Sequence, residues 1–158
     1  MNKNVNESLV TMTELILPND TNLMGNLLGG RLMHWIDIAG AMAASRHSNK
    51  VVATIEVDKL EFRKPIKVGE ILIINAKLTW VGNTSMEVMV ESFAENIKSG
   101  EKMLANRAFL IYVALGEDGR AVPVPGLELN TDAEKSERER AQKRREDRLL
   151  RTEKTHKG

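Results

Sequence analysis

Hydrophobic and polar positions change rhythm twice along this chain. Met12 to Leu17 (MTELIL) reads as a short strand, stopped by Pro18 and the turn-forming run PNDTN. A glycine-punctuated turn follows from Asn26 to Gly30. From about Gly29 to His47 the apolar residues Leu32, Met33, Trp35, Ile36, Ile38 and Met42 fall on most sides of a helical wheel. A helix apolar on most faces belongs inside a core. Its small residues, Ala39, Gly40, Ala41, Ala43 and Ala44, let another element approach closely. Beyond the helix the period shortens. VVATIEVDKLEF, GEILIINAKLTWV, TSMEVMVESFAEN and EKMLANRAFLIYVAL read as four long strands, and the separators VGNT and NIKSGE are short enough for hairpins.

One strand, one buried helix and four hairpin-linked strands predict an α+β fold: a curled antiparallel β-sheet wrapped around one long central helix. One helix covers one sheet face only and leaves the edge strands open. Both features predict self-association, most simply as a two-fold dimer. The rhythm is lost after Leu127. Ten Lys/Arg and eight Asp/Glu crowd the last 32 residues, and from Asn130 onward Leu149 and Leu150 are the only large apolar side chains. Pairs such as Glu134/Arg138 and Glu139/Lys143 have helical spacing. The expected organisation is a folded domain over 1–127 and a charged, solvated C-terminal tail over 128–158, helical with a frayed end or disordered. Acids interrupt the bases and no aromatic is interleaved, so a nucleic-acid arm is disfavoured.

Composition narrows the chemistry. The 158 residues, 42% of them hydrophobic, suffice for one domain with a real core. The absence of cysteine excludes disulfides, thiolate metal sites and a cysteine nucleophile. A net charge of +1 gives no reason to expect a polyanionic partner. The N-terminal MNKNVNESLV lacks the apolar run of a signal peptide, and no stretch suits a membrane span. A cytoplasmic protein with no nucleic-acid or membrane partner is expected.

Within the buried helix one residue is out of character: Asp37, a lone carboxylate among apolar neighbours. A buried charge is costly unless it is paired or used. Eleven residues before it stands Asn26, followed by Gly29 and Gly30 at the helix start. Free N–H groups at a helix N-terminus attract negative charge, and glycines admit a substrate to the backbone. A carbonyl oxygen at that tip would be polarised as an oxyanion forms. Asp37 lies about 10 Å further along the helix axis, too far to reach a carbonyl held by its own helix tip. A partner with an antiparallel helix would bring its own Asp37 there, as general base or nucleophile. The plain alternatives stay open on these residues: Gly-Gly as an ordinary tight turn, and Asp37 as a structurally paired carboxylate.

PNDTNLMGNLLGGRLMHWIDIAGAMAASRH, with EFRKPIKVGE, VGNTSMEVMVE and LANRAFLIYVALGEDGRAVPVPGL, resembles the signature blocks of hot-dog-fold acyl-CoA thioesterases, the acyl-CoA hydrolase family that includes cytosolic and brain forms. The likeness runs from about Val10 to Leu127. It implies a hot-dog fold, homo-oligomers built from double-hot-dog dimers, often three in a hexamer, and hydrolysis of acyl-CoA to CoA and a fatty acid. It implies Asn26 and Asp37 as catalytic residues acting across the interface. Asp37 would act on water or attack directly through an anhydride, with the Gly29 and Gly30 amides on the oxyanion. Coenzyme A would enter as part of the substrate, with no further cofactor and no metal. Its phosphates are expected at Arg63, Thr84 and Ser85, with Arg107 a weaker candidate. Leu27, Leu28, Trp35 and Met42 are candidates to line the acyl chain. A second reading keeps the scaffold but makes it a non-catalytic acyl-CoA binding or sensing protein.

Other features carry less. His34 and Asp37 have i,i+3 spacing and could form a dyad, though the resemblance puts no catalytic histidine there. His47 is expected near the helix C-terminal dipole, and His156 in the tail. The three histidines are too dispersed for a metal site. There is no G-x-S-x-G elbow and no phosphate-binding Walker loop.

Overall fold

A computed structural model describes the backbone of residues 2–157 and the side chains of 2–152. The elements are β1 (Asn2–Asn4), β2 (Val10–Leu15), α1 (Gly29–Ser48), β3 (Val51–Phe62), β4 (Ile71–Val81), β5 (Ser85–Glu95), β6 (Lys102–Leu115), β7 (Gly126–Glu128) and α2 (Asp132–Lys157). Short 3-10 turns lie at Val5–Ser8 and Pro18–Asp20. The main sheet is antiparallel, in the order β2-β4-β5-β6-β3. The central helix and the four long strands stand where the hydrophobic rhythm puts them. The first sheet strand begins and ends about two residues earlier than MTELIL suggests, because its register with β4 closes at Leu15↔Ile71.

Helix α1 lies on one face of the sheet. Leu32, Ile36, Ala39 and Ala43 are fully buried against Leu72, Ile74, Val88, Val90, Leu110 and Tyr112. Gly40 sets how close the helix comes. A methyl group there would overlap the Tyr112 hydroxyl, so only glycine lets that phenol pass beneath the helix.

The other sheet face corrects the sequence reading. Helix α2 is not solvated throughout. Ala141, Arg144 and Arg148, spaced three and four apart, form a buried face against the sheet. The Arg144 guanidinium sits 3.7 Å over the Phe109 ring and donates to both oxygens of Glu87, at 3.0 and 2.7 Å. Glu87 also accepts from Thr79 at 2.6 Å. Gln142 accepts from the Trp80 indole at 2.8 Å. Hydropathy along the chain registers these arginines as solvent-seeking, but their stems cover apolar surface while their heads meet buried acids. The outer face is therefore covered within one chain, and that half of the case for self-association falls away. The edge strand β3 keeps the other half.

A parallel pairing of β1 with β7 was not anticipated. Among the described residues no helix is long and apolar enough to cross a membrane.

Candidate active site

The loop before α1 is built by short side-chain hydrogen bonds. The Asn22 carboxamide oxygen accepts from the backbone N–H groups of Met24 and Asn26, at 3.0 and 3.1 Å. Gly25 turns the chain at φ +76°, a conformation costly for other residues. Asp20 is buried and structural. It accepts from the Leu17 N–H at 2.9 Å, lies 3.4 Å from the Arg31 guanidinium, and takes the Leu28 N–H on its own carbonyl. The Asn26 side-chain oxygen accepts from Lys67 at 3.1 Å.

Helix α1 then starts at Gly29 without a side-chain cap. Among the described residues, the N–H groups of Gly29, Gly30 and Arg31 donate to nothing. The space around both glycines is open: a Cβ on either would meet no atom within 4 Å. This gives the exposed, electropositive backbone tip that the sequence suggested.

Asp37 sits two turns further along, half-buried. Its Oδ1 accepts from the Thr54 hydroxyl at 2.8 Å and from the Tyr112 phenol at 3.0 Å. The same phenol lies 3.0 Å from the Asp37 backbone oxygen. Neither Thr54 nor Tyr112 was singled out from sequence. A single tyrosine inside the apolar run of β6 was a usable sign, because a buried phenol needs a partner. Burial and the adjoining Asp37 carboxylate push the Tyr112 phenol far above its ordinary value of 10, so it stays a hydrogen-bond donor. Asp37 is thus held by two neutral donors and forms no salt bridge among the described residues. Its Oδ2 accepts no hydrogen bond among them either. His34 is exposed and makes no hydrogen bond to Asp37, which removes the His–Asp dyad.

Within one protomer the remaining candidates divide between two ends of the sheet. The Arg63 N–H donates to the Ala105 carbonyl, and the Arg63 side chain lies 3.6 Å from Glu61. Thr84 and Ser85 occupy the β4–β5 turn, where Ser85 pairs with Val113. Eight residues of β6 separate these levels, about 26 Å along the strand. Asn26 joins the Arg63 end through its bridge to Lys67. Asp37 stands nearer the Ser85 end, since Thr54 and Met86 both pair with Tyr112. No single chain brings all of them together.

Arg107 is bound by Glu91 at 3.0 and 2.7 Å on the outer face, so it is not a free phosphate ligand. His47 does more than face a dipole: it is buried and bonds the Pro125 carbonyl at 2.8 Å. The His156 side chain lies outside the described residues. Among the acyl-lining candidates, Leu27 and Trp35 pack against the core. Leu28 and Met42 remain exposed, and Met42 borders a shallow groove of ≈ 410 Å³ with Ile38, Ala41, Ser45 and Arg46.

The chain matches the family described as thioesterase superfamily over residues 24–101. It is 39% identical to an acyl-CoA thioester hydrolase of Bacillus subtilis, called YkhA and uncharacterized, over 81% of this chain and 74% of that one. It superposes with a TM-score of 0.93, at 33% identity, on an acyl-CoA hydrolase from Staphylococcus aureus solved with butyryl coenzyme A and coenzyme A. That match covers 99% of this chain and 96% of the other. The same enzyme is also known as three alanine variants, of an aspartate, an asparagine and a threonine. A hexameric acyl-CoA thioesterase superposes with a TM-score of 0.92 at 37% identity, over 96% of this chain and 97% of that one. With its curled sheet, its central helix and these relatives, the chain belongs to the thioesterase superfamily, among the hot-dog acyl-CoA thioester hydrolases.

Proposed function

We infer that the protein hydrolyses acyl-CoA thioesters, with a reaction centre completed by two subunits. The observation that carries this is Asp37: a carboxylate amid apolar packing, oriented through one oxygen by Thr54 and Tyr112 and paired to no cation among the described residues. A structural carboxylate in such surroundings normally has a counter-charge. This one keeps an oxygen available for a proton.

The steps follow from that geometry. The thioester carbonyl rests at the uncapped Gly29–Gly30 amides, which stabilise the oxyanion. Asp37 removes a proton from water as the hydroxyl adds to the carbonyl carbon. Collapse of the adduct breaks the C–S bond, and the Asp37 proton passes to the departing CoA sulfur. The products are a fatty acid and CoA. Direct attack by Asp37 to form an anhydride would use the same residues.

The same two-fold arrangement unites the separated groups. Strand β3 is an unpaired edge with large exposed apolar side chains: Val51 74%, Ile55 60% and Phe62 61%. Such an edge invites a second copy. Antiparallel pairing of two β3 strands lays the Asn26 and Arg63 end of one chain beside the Asp37, Thr84 and Ser85 end of the other. Helix tip, carboxylate and CoA-binding candidates then meet at one shared site. Assembly of three such dimers suits the hexameric neighbour, and a cytoplasmic setting suits a chain without cysteine.

Spacing favours Asn22 over Asn26 as the asparagine that assists the reaction. In the staphylococcal enzyme the substituted asparagine precedes the substituted aspartate by 15 residues, and the threonine follows it by 17. Asn22, Asp37 and Thr54 have the same intervals. Release of CoA thiol from acyl-CoA by the purified oligomer tests all of this. Asp37→Asn should lose at least about a thousandfold in kcat, the scale of a missing base together with its placement. Asn22→Ala should lose more than Asn26→Ala. Tight acyl-CoA binding without thiol release by the unmodified protein would instead make it a sensor.

A further inference from the structure

Strand β3 is irregular where it passes the site. Its register with β6 shifts between Thr54 and Glu56, and again between Val57 and Lys59. Ile55 and Asp58 are thereby left without a partner residue across the ladder. Thr54 is the last paired residue before the first shift, and its hydroxyl is the one that holds Asp37 at 2.8 Å. Bulges beside active sites commonly re-aim a side chain. Whatever pairs with the outer edge of β3, the two shifts interrupt its ladder to β6, so the segment between them gains from a further restraint.

Helix α2 supplies that restraint from the opposite face of the sheet. The Arg148 Nη1 lies 3.0 Å from Asp58 Oδ2 and 3.4 Å from Glu87 Oε2, and its Nε lies 3.7 Å from Glu56 Oε2. The Arg148 side chain is 10% exposed and that of Asp58 2%, so solvent screens the pair weakly. One guanidinium therefore grips both residues that flank Val57, within the segment bounded by the two bulges.

We propose that Arg148 is a positioning residue for hydrolysis: gripping Glu56 and Asp58, it fixes the doubly bulged segment 54–59 and so keeps the Thr54 hydroxyl on Asp37. The C-terminal helix thus takes part in the reaction without touching substrate. This rests on Asp37 acting as the base. If Arg148 only fastened α2 to the sheet, losing it would weaken the fold but leave kcat intact in protein that remains folded.

The test is the kcat and KM of the full-length oligomer for Arg148→Ala, Asp58→Asn, Thr54→Ala and the double variant Arg148→Ala/Thr54→Ala. Circular dichroism and light scattering report fold and assembly. Arg148→Ala and Asp58→Asn should each lower kcat about tenfold, the effect of one lost oriented hydrogen bond, with KM changed less than about twofold. The double variant should be no slower than Thr54→Ala by more than about twofold, because both act on one contact. Hydrogen exchange over residues 51–62 should quicken in Arg148→Ala. Asp58→Asn keeps the shape of the site and the Arg148–Glu87 contact while weakening the hold of α2 on the segment through both Arg148 and Arg151, and it decides whether that hold matters if Arg148→Ala does not fold. A folded variant of either kind with kcat within about twofold of wild type overturns the proposal. So do losses that multiply fully in the double variant. Near-normal turnover in Asp37→Asn would remove the base and both readings. A dead Asp37→Asn beside an unaffected Arg148→Ala would remove this one alone.

Discussion

Tyr112 shows how much one side chain does here. It enters the core from β6, passes under Gly40, and donates to both the side chain and the backbone of Asp37. Tyr112→Phe keeps the ring but removes that donor. One hydrogen bond to a charged acceptor is worth about 1.5–3 kcal/mol, so kcat should fall at least about tenfold with the oligomer intact. Unchanged steady-state rates would show that Thr54 alone orients the carboxylate. His47 provides a second test at this scale. Burial, opposed in part by its bond to the Pro125 carbonyl, holds the imidazole below its ordinary 6.5. The unfolded chain therefore binds a proton that the folded chain resists. The stability gained from a neutral His47 is present above pH 6.5 and is lost as pH falls from there towards the folded value. Urea midpoints between pH 7.5 and 5.5 should fall more for wild type than for His47→Gln. Equal falls would assign the acid sensitivity to other groups.

At the scale of elements, α1 and α2 hold the sheet by different physics. Helix α1 buries leucine, isoleucine and alanine, whereas α2 buries arginine heads against Glu87 and Asp58. Breaking a buried ion pair from one side leaves an uncompensated charge, at a cost of about 3–5 kcal/mol. Glu87→Ala should lower stability by that amount in urea titration, while an exposed pair such as Arg120–Asp118 should contribute almost nothing. A loss under 1 kcal/mol for Glu87→Ala would mean that solvent reaches the pair. The contrast also explains what was legible in the sequence. Period 2 and period 3.6 are written in apolar residues, so α1 and the four long strands could be placed closely. Asp37 stood out because a carboxylate breaks an apolar helix. The docking of α2, the grip of Arg148 and the bond between Thr54 and Asp37 depend on polar groups meeting across 17 to 92 residues of chain. No local period records such meetings. The same limit hid the partner of Arg107: Glu91 lies on the neighbouring strand, 16 residues away.

For the whole molecule, the governing feature is separation. The helix tip at Gly29 and Gly30 and the carboxylate at Asp37 are about 10–12 Å apart along one helix, and the CoA-binding candidates lie at opposite ends of one sheet. The proposed two-fold through the exposed β3 edge would bring each half to its complement. Mixed oligomers test this most directly. Asp37→Asn and Asn22→Ala protein, each nearly inactive alone, are unfolded together and refolded at equal concentrations. Thiol release is then compared with that of the parents. With random pairing, half the dimers are mixed and each carries one intact centre of two, so activity should return to about a quarter of wild type. No recovery above the parents, in oligomers shown by mass to be mixed, would contradict a centre shared between subunits.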